Sequence, residues 1–165
     1  MNKNIDEHLT FNSPLETGLR SLVILDEAHP REFDITTLIW LDHLVVHTRD
    51  FGGPESLHPN VSSRTGELLV RRSIIEQGLQ LMREIHLIRQ NETNQGIFYT
   101  TTDYARPVIN LLFEKYTVEL KIRAEWLINM VKNINEDKLK AIIENRMGLW
   151  NVEFQLSEGN TYGKF

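Results

Sequence analysis

The sequence predicts a mainly α fold with a small β-hairpin: a winged-helix-like core to which N- and C-terminal helices and a late β-strand are added. Three observations predict it. Apolar residues recur at helical spacing in successive stretches between Leu15 and Met147. The polar run NETNQG, residues 91–96, is followed by IFYTTT, which alternates as a strand does. Helix, short helix, helix and hairpin follow one another as in a winged helix, where the third helix can enter a DNA major groove and the hairpin forms the wing.

The first helix carries a full start signal. Ser13 can cap it, Pro14 takes the first helical position, and Glu16 closes a capping box. Leu15, Leu19, Leu22 and Val23 then recur at helical spacing until His29-Pro30 stops the pattern. Phe11, just before the cap, is placed to dock beside the first turn. A second helix starts at Asp34, which can cap it, and turns Leu38, Leu41 and Val45 inward with Ile35 and Ile39 beside them. GELLVRR, residues 66–72, reads as a short helix. Ser73 then caps a stronger one, with Ile74, Ile75, Gly78, Leu81, Met82 and Ile85 facing inward.

After the hairpin, Asp103 caps a long helix that runs to Lys132, with Val108, Leu111, Leu112, Ile122, Trp126 and Met130 among its apolar positions. Pro107 is tolerated because first-turn amides have no intrahelical partners. Asn135 opens a shorter helix with Leu139, Ile142, Ile143 and Met147 apolar, and Gly148 suits its left-handed end. From Trp150 to Leu156, apolar and polar residues alternate without exception, the cleanest strand pattern in the chain. Such a late strand needs the wing, or a strand of another chain, to satisfy its backbone groups.

At 165 residues the chain fits one domain: a lead-in over 1–12, the core with its long helix over 13–133, a helix and strand over 134–156, and a tail over 157–165. No apolar run reaches the roughly 18 residues of a membrane span, and the N-terminus lacks the regions of a signal peptide, so a cytoplasmic protein is expected. The absence of cysteine excludes disulfides and thiolate metal sites. The net charge of −5 opposes nonspecific DNA binding by the whole surface. It is unevenly spread: residues 1–61 hold 4 Lys or Arg against 10 Asp or Glu, whereas residues 62–132 hold 10 against 8. An acidic N-terminal face of this kind suits a basic partner, or is simply a solvated surface.

The stretch from Asp42 to Arg72 is the most distinctive. It packs a Gly52-Gly53-Pro54 turn, a His58-Pro59-Asn60 turn, three histidines and the Arg71-Arg72 pair between two helical patterns. Connections in compact domains usually run about 4–6 residues, so a longer one with this much turn chemistry is expected to be ordered and to meet something. This stretch, together with FNSPLETGLRSLVIL at Phe11–Leu25, resembles the middle-component family (type 2) of bacterial ABC-three-component systems, the group that includes Lamassu-type defence operons. The resemblance extends to about Val131, and the residues after it lie beyond it.

The resemblance implies a small middle subunit that links an SMC-like ABC ATPase to an effector, often a nuclease, in defence against phage and plasmids. DNA would be met, if at all, through the complex. Its motif falls on Phe11, Asn12, Pro14, Glu16, Asp42, His43, His47, Arg49, Asp50, Gly52, Gly53, Pro54, His58, Pro59, Asn60, Arg64, Gly66, Glu67, Arg71 and Arg72.

Little in the residues suggests catalysis. No glycine-rich loop is followed by Lys-Ser or Lys-Thr, and Gly52-Gly53-Pro54 neither follows a strand nor opens a helix, so no nucleotide is expected. No Gly-x-Ser-x-Gly elbow occurs. The adjacent carboxylates Asp26 and Glu27 would point apart on a helix. His43 and His47 share a helix face at the spacing of helical zinc ligands, with Asp42, Asp50 and His58 nearby, but the glutamate of an HExxH motif is missing. Histidines so placed are more often satisfied by carbonyls or solvent, and His58 reads better as a loop anchor. No cofactor or metal is expected, and no enzyme.

Nucleic-acid contacts would come from Arg71, Arg72, Arg83 and Arg89 around the third helix, with Asn91, Thr93, Asn94 and Gln95 at the wing. That helix also exposes Glu76, Gln77, Gln80 and Glu84, whose carboxylates repel phosphates. A partner protein would instead meet the Asp42–Arg72 stretch, Trp126 on the long helix, or Trp150 and Phe154 on the late strand, although each tryptophan is as readily a core residue. The reading is therefore a non-catalytic adaptor of an ABC ATPase complex. The alternative is a stand-alone winged-helix transcriptional regulator, and an inhibitor that occludes an effector is a third possibility.

Overall fold

The computed structural model describes residues 13–59, 64–135, 137–142 and 145, with only the backbone course for 64–70. It begins with α1, Pro14–Ala28. The Ser13 hydroxyl accepts the Glu16 amide at 3.2 Å, and the Glu16 carboxylate accepts the Ser13 amide at 3.5 Å, so both halves of the expected box form. The chain leaves helical geometry at His29. Leu22 and Val23 are buried as expected, but Leu15 is 64% exposed. The stripe was too narrow an expectation, because α1 is the central helix. It packs against other helices and the sheet, and it buries Ile24 and Leu25 as well.

A two-residue strand, β1 (Phe33–Asp34), leads into α2, Ile35–Val46. The Asp34 carboxylate caps it by accepting the Thr37 amide at 2.8 Å. Leu38, Leu41 and Val45 are fully buried, and so are Trp40 and Val46 on the flanks.

The short helix and the separate helix capped by Ser73 are one helix, α3, Arg64–Glu84. No proline or glycine interrupts it near position 73, so nothing forces a break. Ser73 faces outward at mid-helix, where its hydroxyl accepts from the Gln77 side chain at 3.3 Å. The buried face is Ile75, Leu79 and Met82 with Gly78; Leu81 and Ile85, expected inside, are exposed. Gly78 meets Gly18 of α1 backbone to backbone. A Cβ on Gly18 would stand 2.7 Å from the Gly78 carbonyl oxygen, and one on Gly78 would stand 2.6 Å from the Gly18 nitrogen. No other residue pair lets these two helices approach so closely.

The hairpin is present as β2 (Ile88–Thr93) and β3 (Gly96–Thr101), with Asn94 and Gln95 at its tip. β1 adds to β3, with Phe33 opposite Tyr99 and Asp34 opposite Phe98, which makes a three-stranded antiparallel sheet of order β1-β3-β2. Asn91, expected at the tip, lies within β2 and donates to the Glu32 carboxylate at 2.5 Å.

The expected long helix from Asp103 is broken into α4, Ala105–Asn110, and α5, Lys115–Val131. As one helix, Asp103–Lys132 would reach about 45 Å, longer than a domain of this size is wide. The break at 111–114 returns the chain to the core, and Lys121 donates to the carbonyl of Leu112 at 2.9 Å. Asp103 does not cap α4; the capping position is Tyr104, without a side-chain bond. Pro107 does lie in the first turn of α4. The buried apolar positions are Ala105, Ile109, Leu120, Ala124, Leu127 and Val131, while Val108, Leu111, Ile122 and Met130 are exposed and Leu112 and Trp126 are half-buried.

Residues 137–142 are helical, and the Asn135 side chain accepts the Lys138 amide at 2.8 Å, as a cap does. Leu139 joins the core and Ile142 is exposed. Ile143, Met147, Gly148 and the strand expected at Trp150–Leu156 lie outside the described residues, as does Phe11. The fold is thus mainly α with a small antiparallel sheet, as the sequence predicts.

Candidate partner surface and its buried brace

The described part of the distinctive stretch is a self-tied loop clamped to two helices. A 3-10 turn, Thr48–Phe51, follows α2, and Gly52 ends it with φ +80°. The Thr48 carbonyl accepts the Gly53 amide at 2.9 Å, and the Thr48 hydroxyl donates to the Pro54 carbonyl at 2.8 Å. The amides of Leu57 and His58 both return to the Val46 carbonyl, at 3.0 and 3.2 Å. From α5, Arg123 donates to the Glu55 carbonyl at 2.7 Å. Gly53 itself needs no positive φ. It is pinned by space, because a Cβ there would stand 2.7 Å from the Trp126 indole.

Beneath the loop lies a charged network. Asp42, fully buried on α2, accepts from Arg20 of α1 at 2.6 Å (Nε) and 3.2 Å (Nη2), and also from Arg71 of α3. Arg20 also donates to Thr17 at 3.2 Å. Burial works to raise the Asp42 pKa, but the two guanidinium groups outweigh it and hold the carboxyl below its usual range. Burial likewise opposes the Arg20 charge, and Asp42 overcomes it, so Arg20 is held more firmly protonated than usual. One carboxylate therefore joins three helices, in the arrangement where removing a single partner is most costly.

A row of rings runs beside this network. The His43 and His47 rings lie 4.6 Å apart, His47 and His58 6.4 Å, and His58 Nε2 is 3.0 Å from the Tyr116 hydroxyl on α5. Burial, then the charges of Arg20 and Arg71, push the His58 pKa down to about 3, so it is neutral at physiological pH. Burial also raises the Tyr116 pKa. Among the described residues, no group of three His, Cys, Asp or Glu side chains is arranged to hold a metal ion.

The structure therefore divides the residues of interest. Asp42, His43, His47, His58 and Arg71 are internal and come together as the brace. Arg49, Asp50, Gly52 and Pro59 form the exposed outer rim, where Arg49 pairs with Glu55 at 2.8 Å. Gly53, Pro54 and Trp126 are half-buried between rim and α5. Arg72, Arg83 and Arg89 are exposed, and Arg72 is paired with Glu76 at 3.2 Å. Glu76, Gln77, Gln80 and Glu84 are exposed beside Leu81 and Ile85. Asn60, Trp150 and Phe154 lie outside the described residues, and the Arg64 side chain is likewise not described.

Sequence reasoning missed the roles of Arg20, Tyr116 and Arg123. Arg20 left one signal, a lone cation within a helix whose neighbours Leu19, Leu22, Val23, Ile24 and Leu25 are apolar. The carboxylates Asp26 and Glu27, expected to point apart, are both reached by Arg106, at 2.9 and 3.7 Å. Burial raises both of their pKa values, against the pull of Arg106.

The model of one protein family, ABC-three component (ABC-3C) system Middle Component 2, matches residues 10–153. The chain belongs to that family. The matched span takes in α1, the clamped loop and the whole buried brace. A Middle Component 2 protein implies work alongside the other components of such a system. No curated protein and no solved structure gives a significant match. Among the described residues, no helix of this middle component is long and apolar enough to cross a membrane.

Proposed function

We propose that this middle component is a non-catalytic adaptor in a complex built on an SMC-like ABC ATPase. It would couple DNA sensing by the ATPase to control of an effector nuclease, in cytoplasmic antiphage and antiplasmid defence of the Lamassu type. The succession of helix, short strand, helix, helix and hairpin, with sheet order β1-β3-β2, supports a winged-helix-like core.

The observation that carries the adaptor reading is the outer face of α3. In a winged helix that face would meet DNA, and here Arg72 and Arg83 share the exposed side of the helix with Glu76, Gln77, Gln80, Leu81, Glu84 and Ile85. Arg71, one of the four arginines that could meet DNA, is buried and pairs with Asp42. A surface on which carboxylates and aliphatic side chains interrupt the arginines, and Glu76 pairs with Arg72, suits protein better than phosphate. On this reading the partner meets the loop rim at Arg49, Asp50, Gly52 and Pro59, with Trp126 beside it.

The rival reading, a stand-alone regulator, draws on exposed Arg72, Arg83 and Arg89. Coexpression with the neighbouring genes and pull-down of this chain separates the two. Recovery of an SMC-like ATPase supports the adaptor. Tight, sequence-selective DNA binding by the lone chain, with no ATPase recovered, overturns it.

A further inference from the structure

The three most exposed large apolar or aromatic side chains among the described residues stand close together in the chain. They are Tyr104, Leu111 and Phe113, at 69%, 73% and 77% exposed. Tyr104, Val108 and Leu111 are spaced four and three apart, so they lie along one side of α4, where the Val108 amide donates to the Tyr104 carbonyl at 3.4 Å. Ala105 and Ile109, one position further on in each turn, face the core. The apolar side of α4 is thus wider than the core covers. Phe113 follows the row in the segment that leads back to α5. With Val108, these side chains expose roughly 400–500 Å², taking about 150–250 Å² for each large one. That matches the largest apolar patch on a typical monomer and is about half of one partner's share of a stable interface.

The patch is held in place before anything meets it. Arg106 ties α4 to the end of α1, at 2.9 Å from Asp26 and 3.7 Å from Glu27. Lys121 of α5 donates to the Leu112 carbonyl at 2.9 Å. A surface fixed in this way loses little freedom on docking.

Charge decides what it meets. Asp103 and Glu114, both exposed, stand at the two ends of the segment. Asp26 and Glu27 lie beside it on Arg106, and Glu125 of α5 is near enough to act on Glu27. The cations among them are Arg106, Lys115 and Lys121, and Arg106 is taken up by its two carboxylates. The surroundings are acidic on balance. A second copy would set the same acidic margin against this one across a two-fold axis, which repels. An apolar groove with a basic margin fits instead.

We infer that α4 and residues 111–113 form a second docking surface, seated in an apolar, basic-rimmed groove of another component of the same system. This surface shares no residue with the loop rim. It rests on the adaptor reading only in needing a partner component, which need not be an ATPase.

With the components coexpressed, a photo-cross-linking residue (benzoylphenylalanine) replaces Leu111 in one variant and exposed Ile97 of the hairpin in a control. Position 111 is expected to link to another component, and more strongly than position 97. In a binding titration with that component, Leu111→Ser combined with Phe113→Ser is expected to weaken affinity about tenfold or more. Its circular dichroism spectrum should match the parent's, because both side chains are exposed. Asp103→Lys combined with Glu114→Lys should also weaken binding, most at low salt. If the parent chain captures no component, the adaptor reading and this surface fall together. Equal capture by the parent and the double serine variant overturns this surface alone. So do cross-links from position 111 that are confined to its own chain or to a second copy, or that are no stronger than those from position 97. Full binding by the double lysine variant overturns the basic rim.

Discussion

Gly53 of the clamped loop and Trp126 of α5 lie in contact, with the indole occupying the space a Cβ would need at 2.7 Å. The contact joins the most distinctive stretch of the sequence to a helix more than seventy residues further along the chain. Gly53→Val should therefore overpack the site and cost about 1–3 kcal/mol of stability. Urea unfolding followed by tryptophan fluorescence measures this. If Trp126→Ala relieves most of the cost in the double variant, the clash is with the indole. An unchanged midpoint in the single variant would mean that the loop moves freely away from α5.

Asp42→Asn should be among the most damaging conservative changes in the chain. It leaves Arg20 and Arg71 buried side by side with no carboxylate between them, in the range of about 3–5 kcal/mol for breaking a buried pair. Equilibrium unfolding checks the size of the effect. The triple change Arg20→Met, Asp42→Leu, Arg71→Met should recover part of the loss, because it removes the charges together. A mild effect of Asp42→Asn alone would show that the network is not a brace.

Acid should weaken the fold through His58. Its folded-state pKa lies near 3, below the ordinary 6.5, so the unfolded chain takes up the proton first. The stability it contributes is present above about pH 6.5 and is lost as pH falls toward 3, at up to about 1.4 kcal/mol per pH unit. Asp42, whose pKa is lowered, adds a loss of the same sign only further into acid. Asp26 and Glu27, whose pKa values are raised, act in the opposite direction. Comparison of His58→Gln with the parent isolates the histidine, and the slope of stability against pH between 6 and 4 should be shallower in the variant. Parallel slopes would remove His58 from this account.

The isolated subunit should neither hydrolyse ATP nor cleave DNA, and its DNA affinity should be weak and steeply salt-dependent, since only a few exposed arginines meet phosphate. Turnover assays with and without added divalent metal, beside a salt titration of DNA binding, check both points. Turnover abolished by a point change in this chain would sink the non-catalytic reading.

Local signals were legible in the sequence where the determinant is local. The Ser13–Glu16 box, the Asp34 cap, the stop at His29-Pro30 and the hairpin all depend on residues within a few positions of one another, and each is present, with the hairpin tip narrowed to Asn94 and Gln95. The strand register and the addition of β1 were not legible, because a two-residue strand has no period to read. The inward face of α5 was also misjudged. Trp126, Ile122 and Met130 are apolar, but Leu120, Ala124 and Leu127 face α1 and α2, and only the packing of those helices decides which stripe is inside. Likewise, the loop's glycines announced a turn, but that Gly53 needs an empty side was settled by Trp126 approaching from far along the chain, whereas the positive φ falls on Gly52 at the end of the 3-10 turn. The sequence by itself determined the family, the mainly α class and the helix starts, because short-range hydrogen bonding and patterning encode them. The tertiary structure alone decided that Asp42 joins Arg20 to Arg71, because three charges distant in sequence become one buried network only when the helices carrying them meet.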